Sequence, residues 1–182
     1  MASEAAESMI ASAVKLLAKH GFQATTFSSV LADSGAPRGS IYYHFPEGKD
    51  QLIAAAIELA SDRALALTDS FSGMTATEIV DTFAALWRAV LVRSDFRAGC
   101  AVVAVTVSAD VPELVERAAA IFRSWRERLG AAFEAAGVEG SAARGLALTV
   151  IAACEGAVVL CRAERSLEPL DTVAGHLRAL VA

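Results

Sequence analysis

The sequence predicts an all-α protein of about nine helices, and three observations favour this fold class. Apolar residues recur every three or four positions, a spacing that gives a helix one buried face. No segment of useful length alternates apolar and polar residues as a half-buried strand does. Capping residues, glycines and prolines mark the ends of the apolar segments. With 182 residues, 55% hydrophobic and 20% charged, the chain can form one large or two small packed domains.

The first, fourth and fifth helices are predicted from apolar spacing and from their ends. The apolar face of the first helix consists of Ile10, Val14 and Leu17. That helix is expected to end near Gly21, and a long fourth helix to cover approximately residues 48–69. Thr75 and Glu78 have the spacing of a capping box, in which each side chain binds the other residue's backbone N–H, and they begin the fifth helix.

Four further helices follow in the second half of the chain. Residues 100–107 predict a short sixth helix, and Asp110 followed by Pro112 predicts the start of a seventh. Ser141 is expected to cap an eighth helix that is apolar on nearly every face. Pro169 begins a ninth helix. The narrow apolar stripe of this last helix consists of Leu170, Val173, Leu177 and Leu180.

Residues 25–45 predict two short helices joined by a tight turn, which is the helix-turn-helix motif. Thr25 or Thr26 can cap the first of these helices by accepting a backbone N–H. Gly35 can adopt the left-handed conformation that ends a helix. Pro37 stops continuation of that helix and favours a new helix start.

The second helix of this motif has one anchored face and one polar face. Ile41 and Phe45 lie four residues apart and are expected to pack against the core. The outward-facing side chains are Arg38, Ser40, Tyr42, Tyr43 and His44. Such a surface is typical of a recognition helix, which enters the major groove of DNA.

Three short motifs occur in order around this segment. Residues 21–25 read Gly-Phe-Gln-Ala-Thr, residues 39–45 read Gly-Ser-Ile-Tyr-Tyr-His-Phe, and residues 49–52 read Lys-Asp-Gln-Leu. Together they resemble the DNA-binding domain of the TetR family of bacterial transcriptional regulators. One extra residue within 46–49, together with the Tyr-Tyr-His-Phe run, resembles the subgroup of multidrug and antibiotic-export repressors. Leu31 departs from the family pattern, in which most members have alanine.

The resemblance implies DNA-contacting roles for the polar side chains of the motif. Arg38, at the start of the second motif helix, is expected to reach guanine edges, and Ser40 and Tyr42 to contact bases or sugars. Phosphate contacts are expected from Thr26, Ser28, Tyr43 and His44. Lys49 is also expected to serve DNA binding, with its charge adding to the dipole at the N-terminus of the fourth helix. Each of these residues could instead be an ordinary surface residue, and His44 could pack beside Phe45.

The charge balance is unusual for a DNA-binding protein. The net charge is −5. Residues 1–50 contain four basic side chains (Lys15, Lys19, Arg38 and Lys49) and five acidic ones (Glu4, Glu7, Asp33, Glu47 and Asp50). Hydroxyls, backbone amides and helix N-termini also bind phosphate, so DNA binding does not require a strongly basic domain. We therefore expect modest non-specific affinity and a shallow salt dependence.

The eighth and ninth helices predict a homodimer. A helix that is apolar on all faces needs cover on all faces, and one protomer covers only one side of it. The stripe on the ninth helix resembles a helix–helix seam. Together the two helices predict a two-fold four-helix interface, as in relatives, with Ala152, Ala153 and Gly156 allowing close approach. Such a dimer would hold two recognition helices about 34–36 Å apart. The alternative is a large monomeric core.

Aromatic residues in the second half predict a pocket for a small apolar or aromatic effector. The candidate ligand-binding residues are Phe83, Trp87, Phe96, Cys100, Phe122, Trp125 and Glu155. Glu155 lies in a largely apolar helix, so it should meet an arginine, line the pocket or lie at the dimer interface. Each aromatic side chain could instead belong to an ordinary core.

These features predict a dimeric repressor that binds a palindromic operator until an effector binds. The effector would bias the sixth and seventh helices, displace the fourth and change the spacing of the recognition helices. The expected domains are residues 1–47 for DNA binding and residues 48–182 for ligand binding and dimerisation. The alternative is a helical ligand- or partner-binding protein that has lost operator binding, which the acidic N-terminal balance favours.

The sequence gives less support to an enzyme, a metalloprotein, a secreted protein or a membrane protein. An enzyme is not predicted, because Cys154 and Glu155 have no catalytic partner at a recognisable spacing. The three cysteines lack metal-site or disulfide spacing, so we expect no metal, no cofactor and a reducing cytoplasm. The N-terminus lacks the apolar segment of a signal peptide. The longest apolar run, residues 146–161, contains Glu155 and is shorter than the about 20 residues that span a membrane.

Overall fold

The computed structural model describes residues 4–181, which form nine α-helices, one short 3-10 turn and no strand. The helices are α1 (Glu4–Ala24), α2 (Phe27–Ser34), α3 (Arg38–His44), α4 (Lys49–Thr68), α5 (Ala76–Arg93), α6 (Ala101–Ser108), α7 (Pro112–Ala135), α8 (Gly140–Glu164) and α9 (Glu168–Ala179). The 3-10 turn, Asp69–Phe71, follows α4 directly. The all-α prediction is therefore confirmed, with every predicted helix close to its expected position.

Backbone geometry at three helix ends agrees with the residue chemistry. Gly21 has φ 79° and ψ −179°, so the regular turn of α1 is interrupted there although residues 22–24 continue as helix. Gly35 has φ 69° and its N–H donates to the Leu31 carbonyl, which ends α2. At the start of α5, the backbone N–H of Thr75 donates to the Glu78 carboxylate at 2.8 Å, which completes the predicted capping box.

The cap of α2 is Thr26 and not Thr25. The Thr26 hydroxyl oxygen accepts the backbone N–H of Ser29 at 3.1 Å, and the Ser29 hydroxyl oxygen accepts the N–H of Thr26 at 2.8 Å. Thr25 is buried, and its hydroxyl donates to the Gly21 carbonyl at 2.9 Å. The sequence allowed either Thr25 or Thr26 to cap α2. Because Thr25 is buried and its hydroxyl is bonded to Gly21, the cap is Thr26.

The cap of α8 is Glu139, so the prediction of Ser141 was wrong. The Glu139 carboxylate accepts the hydroxyl of Ser141 at 2.6 Å and the backbone N–H groups of Ser141 and Ala142. These bonds, the Ser141 hydroxyl foremost, hold the pKa of Glu139 below its usual value. An ionised carboxylate binds the N–H groups at a helix N-terminus more strongly than a hydroxyl does, and it also faces the positive end of the helix dipole.

Contacts within the chain define two compact units, and each is described by itself. The first unit comprises the residues up to Arg63 together with Cys100–Ile121. In it α1 packs against α6 and α2, and α3 packs against α1 and α2. Its fully buried side chains include Met9, Leu17, Val30, Ile41, Leu52, Ile53 and Ile57. The predicted boundary at residue 47 falls inside this unit, so that boundary stays a prediction about which residues serve DNA binding.

The second unit comprises Ala64–Gly99 and the residues from Phe122 onward. Here α5 packs against α9 and α8, and α8 packs against α9. Two ion pairs join the exposed edges of α5 and α9, Arg88 with Asp171 and Arg178 with Asp81. Both pairs are half-exposed, so they fix the alignment of the two helices more than they add stability.

The apolar stripe of α9 is largely used inside the protomer. Leu170 and Leu177 are buried within their own unit, Val173 is partly buried, and Leu180 follows the end of the helix and is exposed. The prediction that this stripe forms a seam with another molecule was therefore wrong for Leu170 and Leu177. Periodicity identifies a buried face but not what covers it, and here the cover is α5 and α8.

Helix α8 combines a buried face with an exposed apolar face. Among the described residues it is the one helix long and apolar enough to cross a membrane, a property that core helices of soluble proteins share. Its buried face, which includes Val150, Cys154 and Cys161, packs within the second unit. Its exposed face is the outer stripe, defined by Gly145, Leu148, Ala152, Gly156, Val159 and Leu160. The outer stripe has two of the three small residues noted in the sequence.

Candidate DNA-binding and effector-binding sites

Helix α3 is anchored on one side and exposed on the other. Ile41 is fully buried and Phe45, at the end of the helix, is 5% exposed. Tyr42 and Tyr43 are 68% and 81% exposed, and Arg38 is exposed at the first residue of the helix. Large aromatic side chains are rarely exposed to this extent on a helix that serves only a core. Arg38, Tyr42 and Tyr43 are thus presented to solvent, whereas Ser40 and His44 are partly buried.

Ring contacts orient the exposed side chains of α3. Tyr42 packs edge-on against Phe27 of α2, with ring centroids 5.6 Å apart. Tyr43 packs edge-on against His44 at 5.0 Å, and His44 against Phe45 at 6.5 Å. The Tyr42 ring is therefore supported by α2, while both tyrosine side chains remain largely exposed. His44 is half-buried between two rings, so both of its predicted roles, phosphate contact and packing, stay open.

The N-terminus of α2 lies beside this surface in sequence and is also exposed. Thr26 and Ser28 are both exposed, and Thr26 holds the capping box described above. Ser40, in the first turn of α3, donates its hydroxyl to the Pro37 carbonyl at 2.7 Å. Hydroxyls and unpaired amides at helix N-termini are good phosphate ligands, so the arrangement suits a nucleic-acid backbone.

A small polar cluster attaches α2 to α1. The Asp33 carboxylate accepts the hydroxyl of Ser12 at 2.8 Å and also pairs with the ammonium of Lys15. The Lys15 hydrogen bond, followed by that of Ser12, holds the pKa of Asp33 below its ordinary value. Asp33 follows Ser12 by 21 positions and Lys15 by 18, and nothing in the local sequence links it to them. Sequence reasoning missed the cluster for that reason.

Lys49 differs from the other predicted DNA-contacting residues. Its ammonium donates to the carbonyl oxygen of Phe22 at 2.7 Å and lies 3.9 Å from the centroid of the Phe22 ring. Burial, only partly offset by Asp50, lowers the pKa of Lys49 from its ordinary value. Lys49 does begin α4 as predicted, but its charge is directed at α1. Its role toward DNA stays a prediction.

Most predicted effector-binding residues share the second unit. Phe83, Trp87, Phe96, Phe122, Trp125 and Glu155 belong to it, whereas Cys100 belongs to the first unit. Phe122 and Trp125 pack edge-on at 5.3 Å on α7. Their binding roles, and that of Cys100, stay predictions.

Trp87 has an unusual buried polar group. It is 7% exposed, and its indole Nε1 is buried with no hydrogen-bond acceptor among the described residues. Buried N–H groups nearly always have an acceptor, since leaving one unmade costs about 1–3 kcal/mol. An N–H in this position is suited to bind an acceptor atom from a ligand or a water molecule.

Phe96 lies in a constrained loop after α5. Asp95 and Phe96 have φ 53° and 57°, and Arg165, just after α8, has φ 52°. The Arg165 guanidinium pairs with the Asp95 carboxylate at 2.8 Å and lies 5.9 Å from the Phe96 ring centroid. Arg162 donates to the carbonyl of Arg97 at 3.2 Å. Non-glycine residues in the left-handed region are strained, and the two arginines supply the contacts that hold them.

Neither a metal-ligand cluster nor a reactive thiol at Cys154 is found among the described residues. No group of three metal-ligating side chains occurs there. Burial, followed by the neighbouring Glu155 charge, raises the pKa of the Cys154 thiol to about 12, so this cysteine is protonated at neutral pH. A protonated buried thiol is a poor nucleophile.

Models of two protein families match this chain, one in each half. Residues 9–56 match the model described as bacterial regulatory proteins, tetR family. Residues 76–176 match the model described as the C-terminal domain of LmrA/YxaF-like transcriptional regulators. The first match covers α2 and α3 completely.

Individual proteins agree with these matches. An HTH-type transcriptional regulator of Mycobacterium tuberculosis (strain H37Rv), described as uncharacterised, is 37% identical over 182 residues, covering 96% of this chain and 93% of the relative. The HTH-type transcriptional regulator LmrA of Bacillus subtilis is 41% identical over 51 residues, covering 28% of this chain and 27% of LmrA.

Solved structures share the fold over the whole chain. A TetR transcriptional regulator from Chloroflexus aurantiacus has a TM-score of 0.74 at 30% identity, covering 97% of this chain and 93% of its own. Regulatory protein TetR from Rhodobacter sphaeroides has a TM-score of 0.88 at 21% identity, covering 99% of this chain and 100% of its own. Regulators of this family bind DNA operators and small-molecule effectors and are typically dimers. Because both halves match family models and a relative is similar along the full length, this chain belongs to the TetR family of bacterial transcriptional regulators.

Proposed function

We propose that this protein is a cytoplasmic repressor that binds a palindromic operator as a homodimer and is released by a small apolar or aromatic effector. The observation that carries the proposal is the exposed polar face of α3. Arg38, Tyr42 and Tyr43 project from a helix whose opposite face is fixed by Ile41 and Phe45. A rigid helix with a guanidinium at its first residue suits the reading of base edges in a major groove.

The side chains divide by reach between bases and phosphates. Arg38 contacts a guanine, and Ser40 and Tyr42 contact bases or sugars at the same groove wall. Phosphate contacts come from Thr26, Ser28, Tyr43 and His44. Phosphate contacts fix the register of the motif, whereas the α3 contacts select the sequence.

The dimer forms through the outer stripe of α8. Leu148, Val159 and Leu160 are 49%, 58% and 51% exposed, which is costly for aliphatic side chains grouped on one helix face. A Cβ built on Gly156 meets no atom of the described residues within 4 Å, so the backbone there is open to close approach. A second copy of the same stripe supplies both the apolar cover and the two-fold symmetry that a palindrome requires.

The effector binds within the second unit and offers an acceptor atom to the indole N–H of Trp87. The neighbouring residue one turn earlier on α5 is Phe83, which is partly buried. An aromatic or apolar compound with a carbonyl, ether or phenolic oxygen fits these two groups. The effector releases DNA only to the extent that it binds the DNA-free state more tightly than the DNA-bound state.

Binding to selected DNA tests the central proposal. Duplexes enriched by the wild-type protein from a random library serve as probes in fluorescence anisotropy. Arg38→Ala should weaken binding to the selected duplex roughly ten- to hundredfold and reduce preference for it over scrambled DNA. Arg63→Ala removes the same charge at an exposed position near the far end of α4 and serves as the matched control. Equal losses in the two variants would contradict base reading by Arg38.

A second candidate is a helical effector- or partner-binding protein without operator affinity. Two of the four basic side chains in residues 1–50, Lys15 and Lys49, are engaged within the protein, which leaves a weak electrostatic attraction for DNA. The same selection decides between the candidates, because a protein of this second kind enriches no duplex from the library.

A further inference from the structure

We infer that Lys49 is a positioning residue that fixes the corner between α1 and α2, and that it is not a phosphate ligand. The inference deepens the proposed operator binding and rests on it for the DNA part of its test. It assigns to this lysine a contact that orients the recognition motif from inside the first unit.

The geometry of the ammonium group carries the inference. Lys49 Nζ donates to the Phe22 carbonyl at 2.7 Å, and the ammonium lies 3.9 Å from the Phe22 ring centroid. A cation that combines a short carbonyl bond with an aromatic face has two attractive partners in the protein itself. Phe22 is 6% exposed, so its ring is a fixed wall and not a mobile surface group.

If the Lys49 ammonium moved to bind a DNA phosphate, it would lose both of its contacts with Phe22. The Lys49 side chain is half-buried at the beginning of α4. Burial acts on its pKa in the lowering direction, which means that the ammonium has already lost part of its water shell. The Phe22 carbonyl and ring offset part of this desolvation cost, and a DNA contact would have to replace both.

The chain between α1 and α2, which Lys49 contacts, leads directly into the helix-turn-helix motif. Gly21 turns the chain with φ 79°, and the Phe22 carbonyl also accepts the backbone N–H of Thr25 at 3.3 Å. Thr26, the next residue, is the N-cap of α2. A contact that fixes the Phe22 carbonyl therefore fixes the direction in which α2 starts.

The start of α4, from which the Lys49 side chain extends, is also held by a hydrogen bond. The backbone N–H of Glu47, two residues before Lys49, donates to the side-chain carbonyl of Gln51 in the first turn of α4 at 3.1 Å. The start of α4 is thus a fixed base from which the lysine reaches the corner. The motif helices are then located from two directions, by Lys49 at the start of α2 and by the Asp33 cluster near its end.

Amide hydrogen exchange in the DNA-free protein tests the positioning role directly. Lys49→Met keeps the apolar stem and removes the ammonium. The N–H of Val30, which donates to the Thr26 carbonyl in the first turn of α2, should exchange several-fold faster in this variant. Lys49→Arg retains a charged donor that can stack on a ring, and should restore slow exchange. Unchanged exchange in Lys49→Met overturns the inference, whether or not the protein binds DNA.

The salt dependence of operator binding tests the second half of the inference. If Lys49 does not contact phosphate, Lys49→Met should weaken binding by roughly tenfold at every salt concentration and leave the slope of log K against log salt unchanged. Loss of a phosphate contact would instead make the slope shallower by about one per lysine, and that result overturns the inference. Lys19→Met is the positive control, because it removes from α1 a cation that is expected to neutralise phosphate and should therefore make the slope shallower. If the wild type selects no DNA, operator binding fails and the exchange measurement still decides the role of Lys49.

Discussion

At the scale of single residues, the DNA-binding motif depends on polar contacts that are distant in sequence. Thr26 caps α2 and Gly35 ends it, and both are predictable because their partners lie within a few residues. Ser12, Lys15 and Asp33 are not predictable in this way, since their contact exists only once α1 and α2 pack together. The local signals define where a helix begins, and the distant contacts define where it lies.

Asp33 should make the stability of the protein depend on pH in the acidic range. Its folded-state pKa lies below the ordinary value of 3.8, so the carboxylate stabilises the fold above that pH. This stabilisation is lost as the pH falls through the lowered folded-state pKa. Asp33→Asn should reduce the free energy of unfolding at pH 7 by about 1 kcal/mol, since the cluster is partly exposed.

Urea denaturation at a series of pH values measures this effect. The difference between wild type and Asp33→Asn should be constant from pH 7 to pH 5 and shrink below pH 4. Thermal or chemical curves that keep the same difference down to pH 2 would contradict a charged role for Asp33. Asp62→Asn, which neutralises an exposed carboxylate further along α4, provides the matched control.

Trp87 should affect effector response more than stability. Its indole N–H has no acceptor within the described residues, so Trp87→Phe removes a donor without breaking a hydrogen bond. We expect the concentration of effector needed for half-release of operator to rise about tenfold, in line with loss of one hydrogen bond. Fluorescence anisotropy with a compound that releases the wild type gives this value. An analogue of that compound without the acceptor atom should release both proteins alike, and a larger effect on the analogue would refute the contact.

At the scale of elements, each helix divides its surface between the protomer and its environment. Helix α3 has Ile41 and Phe45 inside and two tyrosines outside, and α8 has Cys154 and Cys161 inside and the outer stripe outside. In α3 the exposed groups are polar-tipped, which suits DNA. In α8 they are aliphatic or small, which suits a second helix of the same kind.

Gly156 offers a way to test the use of the outer stripe. Because a Cβ there meets no atom of the described residues within 4 Å, Gly156→Leu should leave the protomer folded. If two α8 helices approach closely at this position, the added side chain should weaken dimerisation by at least about tenfold. Sedimentation equilibrium measures the dissociation constant. Ala85→Leu enlarges an exposed residue of α5 and should leave it unchanged. A dimer unaffected by Gly156→Leu would place the interface elsewhere.

At the scale of the whole molecule, the charge distribution bears on the proposed binding of DNA. The net charge is −5, and of the basic residues in 1–50, Lys15 pairs with Asp33 and Lys49 with the Phe22 carbonyl. The other two cations of that segment are Arg38, which is exposed, and Lys19, which is partly buried. If the protein binds an operator as proposed, specificity is therefore expected to come from base contacts and hydroxyls more than from general attraction to phosphate.

The salt dependence of operator binding should accordingly be shallow. If Arg38 and Lys19 are the neutralising cations, a dimer should give a slope of log K against log salt no steeper than about −4. If Lys15 and Lys49 also neutralised phosphates, the slope would be near −7. Titrations between about 50 and 200 mM salt separate these values, and the steeper one would mean that the internal contacts of Lys15 and Lys49 open on DNA.

The sequence predicted the fold well because its signals are local. Helix periodicity, the Thr75–Glu78 capping box and Gly35 all act over a single helix turn or less. It failed at the α8 cap, where a carboxylate at 139 outcompeted the hydroxyl at 141, and at the α9 stripe, which its own protomer covers. The first error concerns two nearby side chains that compete for the same N–H groups, and the second concerns what covers an apolar face, which only packing settles.

The sequence by itself determined the helical fold, the helix-turn-helix motif and the family, because short-range spacing and side-chain chemistry are sufficient for each. The tertiary structure alone decided that Lys49 reaches Phe22, that Asp33 ties α2 to α1, and that the indole N–H of Trp87 is buried without an acceptor among the described residues. The physical reason is that these groups are brought together by chain folding over tens of residues. A side chain with several possible partners takes the one that packing brings within hydrogen-bond distance.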